Sequence, residues 1–352
     1  MAAPSEATPI PSYDLAIIGF GNVGRAFLRM LVAKESELRE RYGVHWRLTG
    51  VATRRAGWLA DPNGLHPLAL LNGHWPAPQA DAPRNVREWL GRARADVLFE
   101  ATSLNAQNGQ PAIEHLRAAL EHGAHAISAN KGPLVHAYGE LSALARAKGK
   151  RFLFESTVMD GVPVFSLFRA GLPAAGLRGI SGVLNSTTNV VLTEIEKGRT
   201  LDEGVKHAQA LGVAETDPTA DLDGWDAAVK LAALVIVLMG VPLRLEQIRR
   251  TGIRELSVEK IRAARAAGMR YKLVCRAERH SGAEIPVQAI VQPELLPLSD
   301  PLANLEGTSS AIRFDLDVFS LSLVEHNPGI EATAYGLLAD FLRAVQAEDP
   351  AG

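Results

Sequence analysis

From residue 13 onward, short apolar runs alternate with longer amphipathic stretches, and that rhythm sets the expected architecture. Residues 13–18 are apolar and strand-like, and residues 25–41 then carry a helical pattern. Apolar runs recur at 46–52, 96–100, 125–128 and 152–155, with helical patterns at 112–122 and 134–148. Strands alternating with helices predict an α/β fold with a doubly wound parallel sheet, the Rossmann-type arrangement.

The second half reads differently. A strand at 177–184 delivers the polar run Asn185-Ser186-Thr187-Thr188-Asn189, followed by helix, Gly198, helix and Gly212. The loop 215–224 feeds a helix carrying Asp226 and Lys230. Its apolar stretch at 231–241 falls short of the roughly 20 residues that a bilayer requires, so it reads as a buried helix. A helix at 257–267 precedes strands at 269–277, 285–291 and 312–318, and a last helix covers 331–344. These strands suit a mostly antiparallel sheet shared across a dimer, in an α+β domain for substrate binding and dimerisation. The expected division is a flexible tail at 1–12, a dinucleotide domain at 13–150 and the second domain at 151–327.

Composition narrows the class. The 352 residues suit two domains, and 47% hydrophobic with 22% charged residues fits an ordinary globular protein. A net charge of −2 gives no electrostatic case for nucleic acid or an anionic membrane. Cys275 is the single cysteine, so no intrachain disulfide forms and a reducing, cytoplasmic setting is expected. The first twelve residues hold three prolines and no apolar core, unlike a signal peptide.

Candidate chemistry begins at Gly19-Phe20-Gly21-Asn22-Val23-Gly24, between a strand and a helix. Glycines there let backbone approach a pyrophosphate, whose charge the helix N-terminus favours. A tight turn without a ligand is the plainer alternative. A site for NAD usually ends the next strand on an acid that meets the ribose. Here Thr53-Arg54-Arg55 stand instead, and two guanidiniums suit the 2′-phosphate of NADP. They also read as solvated loop arginines, with NAD as the second cofactor. Thr102 and Ser103, and then Lys131, follow later strands, at the carboxyl ends where such sheets bind ligands.

In the second half, Asp226 and Lys230 are four apart and share a helix face, with Glu215 and Asp221 on the loop before them. Three carboxylates and an amine suit a small zwitterionic substrate and a proton to be moved. An apolar helix desolvates Lys230 and lowers its pKa, while Asp226 opposes this, so the two form one coupled unit. Asp223 and Asp226 also have the spacing of a helix cap and an acid of the first turn.

The run Asn185 to Asn189, followed by Ala214-Glu215, Asp217-Pro218, Asp221, Gly224, Asp226 and Lys230, resembles homoserine dehydrogenases. The likeness extends over nearly the whole chain. It implies hydride transfer between a nicotinamide and the aldehyde carbon of aspartate 4-semialdehyde, a step towards threonine and methionine, in a cytoplasmic homodimer. It further implies that Lys230 and Lys131 serve the reacting oxygen, that Asp226 orients Lys230, and that Glu215 and Asp221 hold the substrate ammonium. Asn185 and Thr187 would lie near substrate. Gly329 would lie near the cofactor, and the helix at 328–347 would complete the dinucleotide domain. A monovalent cation, Na+ or K+, is implied at Glu155 and the turn of Val158; Glu155 reads equally as a buried strand terminus. The chain departs from the family pattern at Met159-Asp160, Ser186 and His326-Asn327. It stops soon after the last helix, as expected of a short form without a C-terminal regulatory domain. Two rivals are a dehydrogenase of another small aldehyde or alcohol, and a non-catalytic nucleotide sensor.

Overall fold

The computed structural model describes residues 10–77, 81–280 and 286–346. The first nine residues of the expected tail, Ile285 at the start of an expected strand, and residue 347 lie outside the described residues. Among the described residues there are two six-stranded sheets, one in each of two compact units.

The first unit takes in the described residues of Met1–Pro133, Gly139–Ser156 and Ile330–Gly352. Its strands are β1 (Ser12–Ile18), β2 (His45–Thr53), β3 (Gly57–Ala60), β4 (Val97–Glu100), β5 (His125–Ser128) and β6 (Phe152–Leu153). Their order is β3-β2-β1-β4-β5-β6, parallel except for the β2–β3 pair. Strand order reverses beside β1, so its carboxyl end and that of β4 flank the ligand-binding crevice of a doubly wound sheet.

Phe27, Phe99 and Phe341 centre the core of this unit. Ring centroids of Phe27 and Phe99 are 4.3 Å apart, and those of Phe99 and Phe341 5.9 Å. Phe341 comes from the C-terminal helix Ile330–Val345, which buries Ala334, Leu337 and Leu338 in the same cluster. The Tyr13 hydroxyl ties the far end of that helix by donating to the Val345 carbonyl at 3.1 Å.

Several local features depart from the expected pattern. The helix expected at 25–41 is two helices, Asn22–Ala33 and Glu35–Tyr42, broken where Lys34 takes φ −102° and ψ 11°. Only Leu38 of the second helix is buried, so no continuous apolar face holds the two in line. Strand β3 was not expected; a turn in which the Ala56 amide donates to Thr53 Oγ1 returns the chain along β2. Helix Val86–Ala93 was not expected either, although Asn85 and Glu88 have the spacing of a capping box. Asn85 Oδ1 accepts from the Glu88 amide at 3.0 Å, and Glu88 accepts from the Arg84 amide at 2.9 Å.

The second unit takes in Leu134–Tyr138 and the described residues of Thr157–Gly329. Its strands are β7 (Leu177–Val183), β8 (Arg249–Arg250), β9 (Met269–Arg279), β10 (Val287–Pro297), β11 (Ser310–Leu316) and β12 (Ser320–Glu325). The order is β12-β11-β7-β9-β10-β8, antiparallel except between β10 and β8. Strands β8 and β12 are additions to the expected set.

Helix Trp225–Leu234 buries nearly every residue from Ala227 onward and continues into a π-helical turn, Val235–Met239. Gly240 then ends it at φ +66°, a left-handed conformation that glycine adopts without strain. On β9, Lys272 is 0% exposed. Its ammonium donates to Asn189 Oδ1 at 2.7 Å and to the Leu305 carbonyl at 2.5 Å. Burial pulls the Lys272 pKa down to about 8.

Candidate active site

The dinucleotide end is built where β1 and β4 finish. Gly19 has φ +91°, and a Cβ there would lie 2.4 Å from the Ala101 carbonyl carbon. A Cβ on Gly24 would lie 2.4 Å from the Gly19 carbonyl oxygen, so side chains are excluded at both turns. Gly21 differs: a Cβ there would meet open space. Gly21 caps helix Asn22–Ala33 without a side-chain hydrogen bond, and the first turn has no acid. Amides of Asn22, Val23 and Gly24 therefore begin a helix dipole with room for an anion, which suits a pyrophosphate.

Beside this loop, the Gly19 amide donates to the Ala52 carbonyl at 3.0 Å, joining it to the end of β2. Arg54 and Arg55 occupy the exposed turn directly after β2.

At the neighbouring strand ends, the fully buried Glu100 organises two loops. Its Oε1 accepts from the Thr102 amide at 3.2 Å and from the Thr102 hydroxyl, and its Oε2 accepts from Ser128 Oγ at 3.4 Å. Asn130 Nδ2 donates to the carbonyls of Thr102 and Ser103 at 3.2 and 3.3 Å, while its Oδ1 accepts from the Gly132 amide at 3.0 Å. Lys131, half-buried, lies between these two bonded residues and caps helix Gly132–Ala147. Glu100 and Asn130 were missed in the sequence. The signal for Glu100 was an acid closing an otherwise apolar strand.

Glu155 lies in a single 3-10 turn, Glu155–Thr157, instead of in the strand expected at 152–155. Strand β6 stops at Leu153, and the Glu155 amide donates to Asp340 Oδ2 at 2.7 Å, which turns the chain out of the sheet. Val158 is buried and belongs to the second unit.

In the second unit, Asn185 gathers the central cluster. It caps helix Ser186–Glu196, with Oδ1 accepting from the Thr188 amide at 2.8 Å. Its Nδ2 donates to Asp221 Oδ1 at 2.7 Å and to Asp226 Oδ2 at 3.0 Å. Lys230 Nζ donates to the Leu184 carbonyl at 2.7 Å and lies 3.7 Å from Asp226 Oδ2. Thr187 Oγ1 donates to the Val213 carbonyl at 2.7 Å, fixing the chain ahead of the loop. Four of the expected residues thus meet: Asn185, Asp221, Asp226 and Lys230. Glu215 is not part of this group; its side chain is exposed, and its carbonyl accepts from Gln209 Nε2 at 3.0 Å.

Half of the capping alternative holds: Asp226 lies in the first turn of its helix, but Asp223 is not the cap. Gly224, at φ +79°, begins helix Trp225–Leu234, and Asp223 Oδ1 accepts from Arg254 Nε at 2.6 Å. Both effects expected at Lys230 are present, and the net direction is upward. Burial pulls it down, but Asp226, Asp160 and Asp221 together raise it above its ordinary value. Burial and Asp226 raise Asp221. The site therefore holds an ammonium among carboxylates.

Two further acids join the surroundings of Lys230. Asp160, where the pattern usually has glycine, has φ +45° and acts on both Lys230 and Glu325. Glu325 ends β12, and its Oε2 accepts from Ser310 Oγ at 3.4 Å. Ser186 Oγ donates to the Thr308 carbonyl at 3.0 Å. His326 is exposed, as is Gly329 just before the C-terminal helix.

A model of the homoserine dehydrogenase family matches residues 163–342, and one of the homoserine dehydrogenase NAD binding domain matches residues 19–155. The chain belongs to the homoserine dehydrogenase family. A relative from Pseudomonas canavaninivorans, an NAD(+)-dependent homoserine dehydrogenase, is 34% identical over 95% of this chain and 96% of its own. A putative homoserine dehydrogenase from Archaeoglobus fulgidus superposes with a TM-score of 0.81 at 30% identity, covering 94% of this chain and 98% of that one. A hyperthermophilic archaeal homoserine dehydrogenase mutant in complex with NADPH gives a TM-score of 0.77 at 26% identity, over 95% and 98% of the two chains. The chain is thus an NAD(P)-dependent oxidoreductase acting on a CH–OH group, and the expected family and fold class are borne out.

Proposed function

We propose that this homoserine dehydrogenase prefers NADP and that the cluster around Lys230 carries its chemistry. The observation that carries the reading is the ammonium of Lys230 held among Asp226, Asp221 and Asn185. The nicotinamide, when bound, supplies or accepts the hydride. In the reducing direction, negative charge grows on the aldehyde oxygen of aspartate 4-semialdehyde. The Lys230 ammonium stabilises that charge and gives the oxygen its proton; in the oxidising direction the amine takes the proton back. Asp226 orients Lys230 and keeps it charged. Lys131 is the second amine assigned to the reacting oxygen. Asp221 and Glu215 receive the substrate ammonium in charge-assisted hydrogen bonds.

Gly19, Gly21, Asn22, Val23 and Gly24 would hold the pyrophosphate, with Thr102 and Ser103 near the nicotinamide. Arg54 and Arg55 would receive the 2′-phosphate. Their turn follows the strand bonded to Gly19, and this supports NADP. The homologues point both ways, since one is named NAD(+)-dependent and another was solved with NADPH. Strand β12 lies at a sheet edge, and exposed Phe319 and Val324 on and beside it support the expected homodimer. Turnover of homoserine with NAD and NADP in parallel tests substrate and cofactor together; a higher kcat/KM with NAD would overturn the preference.

A second reading, a dehydrogenase of a related amino or hydroxy alcohol, is favoured by Asp160 standing near Lys230 where glycine is usual. A panel of 2-amino and 2-hydroxy alcohols separates the two: this reading requires a higher kcat/KM for another alcohol than for homoserine.

A further inference from the structure

The family likeness implies a monovalent cation at Glu155, but the groups around that carboxylate do not suit one. Glu155 is 2% exposed and Asp340 is 1% exposed. A buried carboxylate at such a depth requires a partner. Arg343 Nη1 lies 3.2 Å from Glu155 Oε2 and 3.2 Å from Asp340 Oδ1. Asp340 Oδ2 accepts the Glu155 amide at 2.7 Å. Two carboxylates therefore converge on one guanidinium nitrogen, where a bridging ion would otherwise serve both. A guanidinium keeps its charge under all ordinary conditions and is more weakly hydrated than an ammonium. A further cation would meet its repulsion.

We propose that Arg343 is the built-in counter-cation of Glu155, so that this chain works without bound Na+ or K+. The inference rests on the assignment of Glu155 as the implied cation position, not on the choice of substrate or cofactor. Arg343 stands three residues beyond Asp340 on the C-terminal helix, so one helix face delivers both. The same contact holds the turn after β6 to that helix.

The test is made on the full chain exchanged into tetramethylammonium chloride, with Na+ or K+ then titrated at constant ionic strength. Tm and kcat are both read. For the unaltered chain, neither should rise with either ion. Arg343→Met should lower Tm by at least about 5 °C, because it strands a buried charge. Saturating Na+ or K+ should restore part of that loss. Glu155→Gln added to Arg343→Met should also restore Tm, because the stranded charge is gone, and this pair serves if Arg343→Met alone does not fold. A saturable rise of Tm or kcat with Na+ or K+ in the unaltered chain overturns the proposal. So does an Arg343→Met variant as stable as the parent, or a double variant no more stable than the single. Because Tm is read without substrate, a failure here is separable from a failure of the dehydrogenase reading.

Discussion

Lys230 Nζ lies 3.7 Å from Asp226 Oδ2, one helical turn away on the same face, and this pairing favours the charged form of the lysine. With Asp226, Asp160 and Asp221 outweighing burial, the amine stays protonated at neutral pH. It is then ready to give a proton in the reducing direction and poorly suited to take one in the oxidising direction. Homoserine oxidation should therefore speed up as pH rises above neutral. Lys230→Ala should lower kcat by about a hundredfold or more, the low end for a positioned proton-transfer group. Lys230→Arg should not rescue fully, since the guanidinium keeps its proton. Near-normal turnover in Lys230→Ala, with Tm and cofactor affinity intact, would defeat the assignment.

Lys131 lies between Asn130 and Gly132, which are bonded to each other, and Asn130 also donates to the loop of Thr102 and Ser103. Lys131→Ala should also lower kcat by about a hundredfold while the fold survives. If the two amines act as one unit, the double variant loses less than the product of the singles. Strict multiplicativity in single-turnover rates would separate their roles.

The arginines of the β2–β3 turn make a prediction about selectivity. They are exposed, and the loop of Gly19 is bonded to the strand they follow. Replacing Arg54 and Arg55 together by alanine should raise KM for NADP by about a hundredfold or more, on the order of two lost charge-assisted bonds. KM for NAD should move far less. Equal losses for both cofactors would remove these residues from recognition of the 2′-phosphate.

How much of this was legible in the chain varied with sequence distance. Strands β4 and β5, and helix Ala112–His122, were visible because their apolar period is local and the burial follows it. The pairing of Asp226 with Lys230 was visible for the same reason, being one turn. The clamp of Asn185 was not, since its carboxylate partners lie 36 and 41 residues away and only the fold unites them. Arg343 was hidden in another way. On an amphipathic helix it reads as a surface charge, and its partner Glu155 stands 188 residues earlier. The two opposing effects on Lys230 were visible, but not their net direction, because Asp160, on a distant turn, joins the balance. Strand β3 was missed because its four residues are too few to show a period.

Glu215 and Asp221 separate a flexible contact from a fixed one. Asp221 is bonded to Asn185, whereas Glu215 is exposed and outside that group. Glu215→Gln should raise KM for homoserine by about tenfold or more, the loss of one charge-assisted bond at about 1.5–3 kcal/mol. Tm should hold, because no internal hydrogen bond of its side chain is lost. Asp221→Asn should raise the same KM and also lower Tm, since it disturbs the Asn185 clamp. A Glu215→Gln variant with an unchanged KM for homoserine would remove Glu215 from substrate binding.

Glu325 makes stability depend on pH. Its side chain is half-buried at the end of β12, opposite Ser310. Burial, then Asp160, push its carboxyl from 4.5 up to about 7, while Ser310 and Lys230 act the other way. The folded protein therefore holds a proton between about pH 4.5 and 7 that the unfolded chain has released. When the folded state binds more protons, stability falls as pH rises, and it does so across that window. Glu325→Gln stays neutral at every pH, so its Tm should fall less steeply from pH 5 to pH 7. Asp340, pushed from 3.8 up to about 7, has the same sign, so part of the slope should persist until Asp340→Asn is added. Tm measured at several pH values in the parent, the single variant and the double variant reads the two contributions apart. Parallel curves for the parent and Glu325→Gln would mean that Glu325 ionises near its ordinary value and takes no part in the acid group around Lys230.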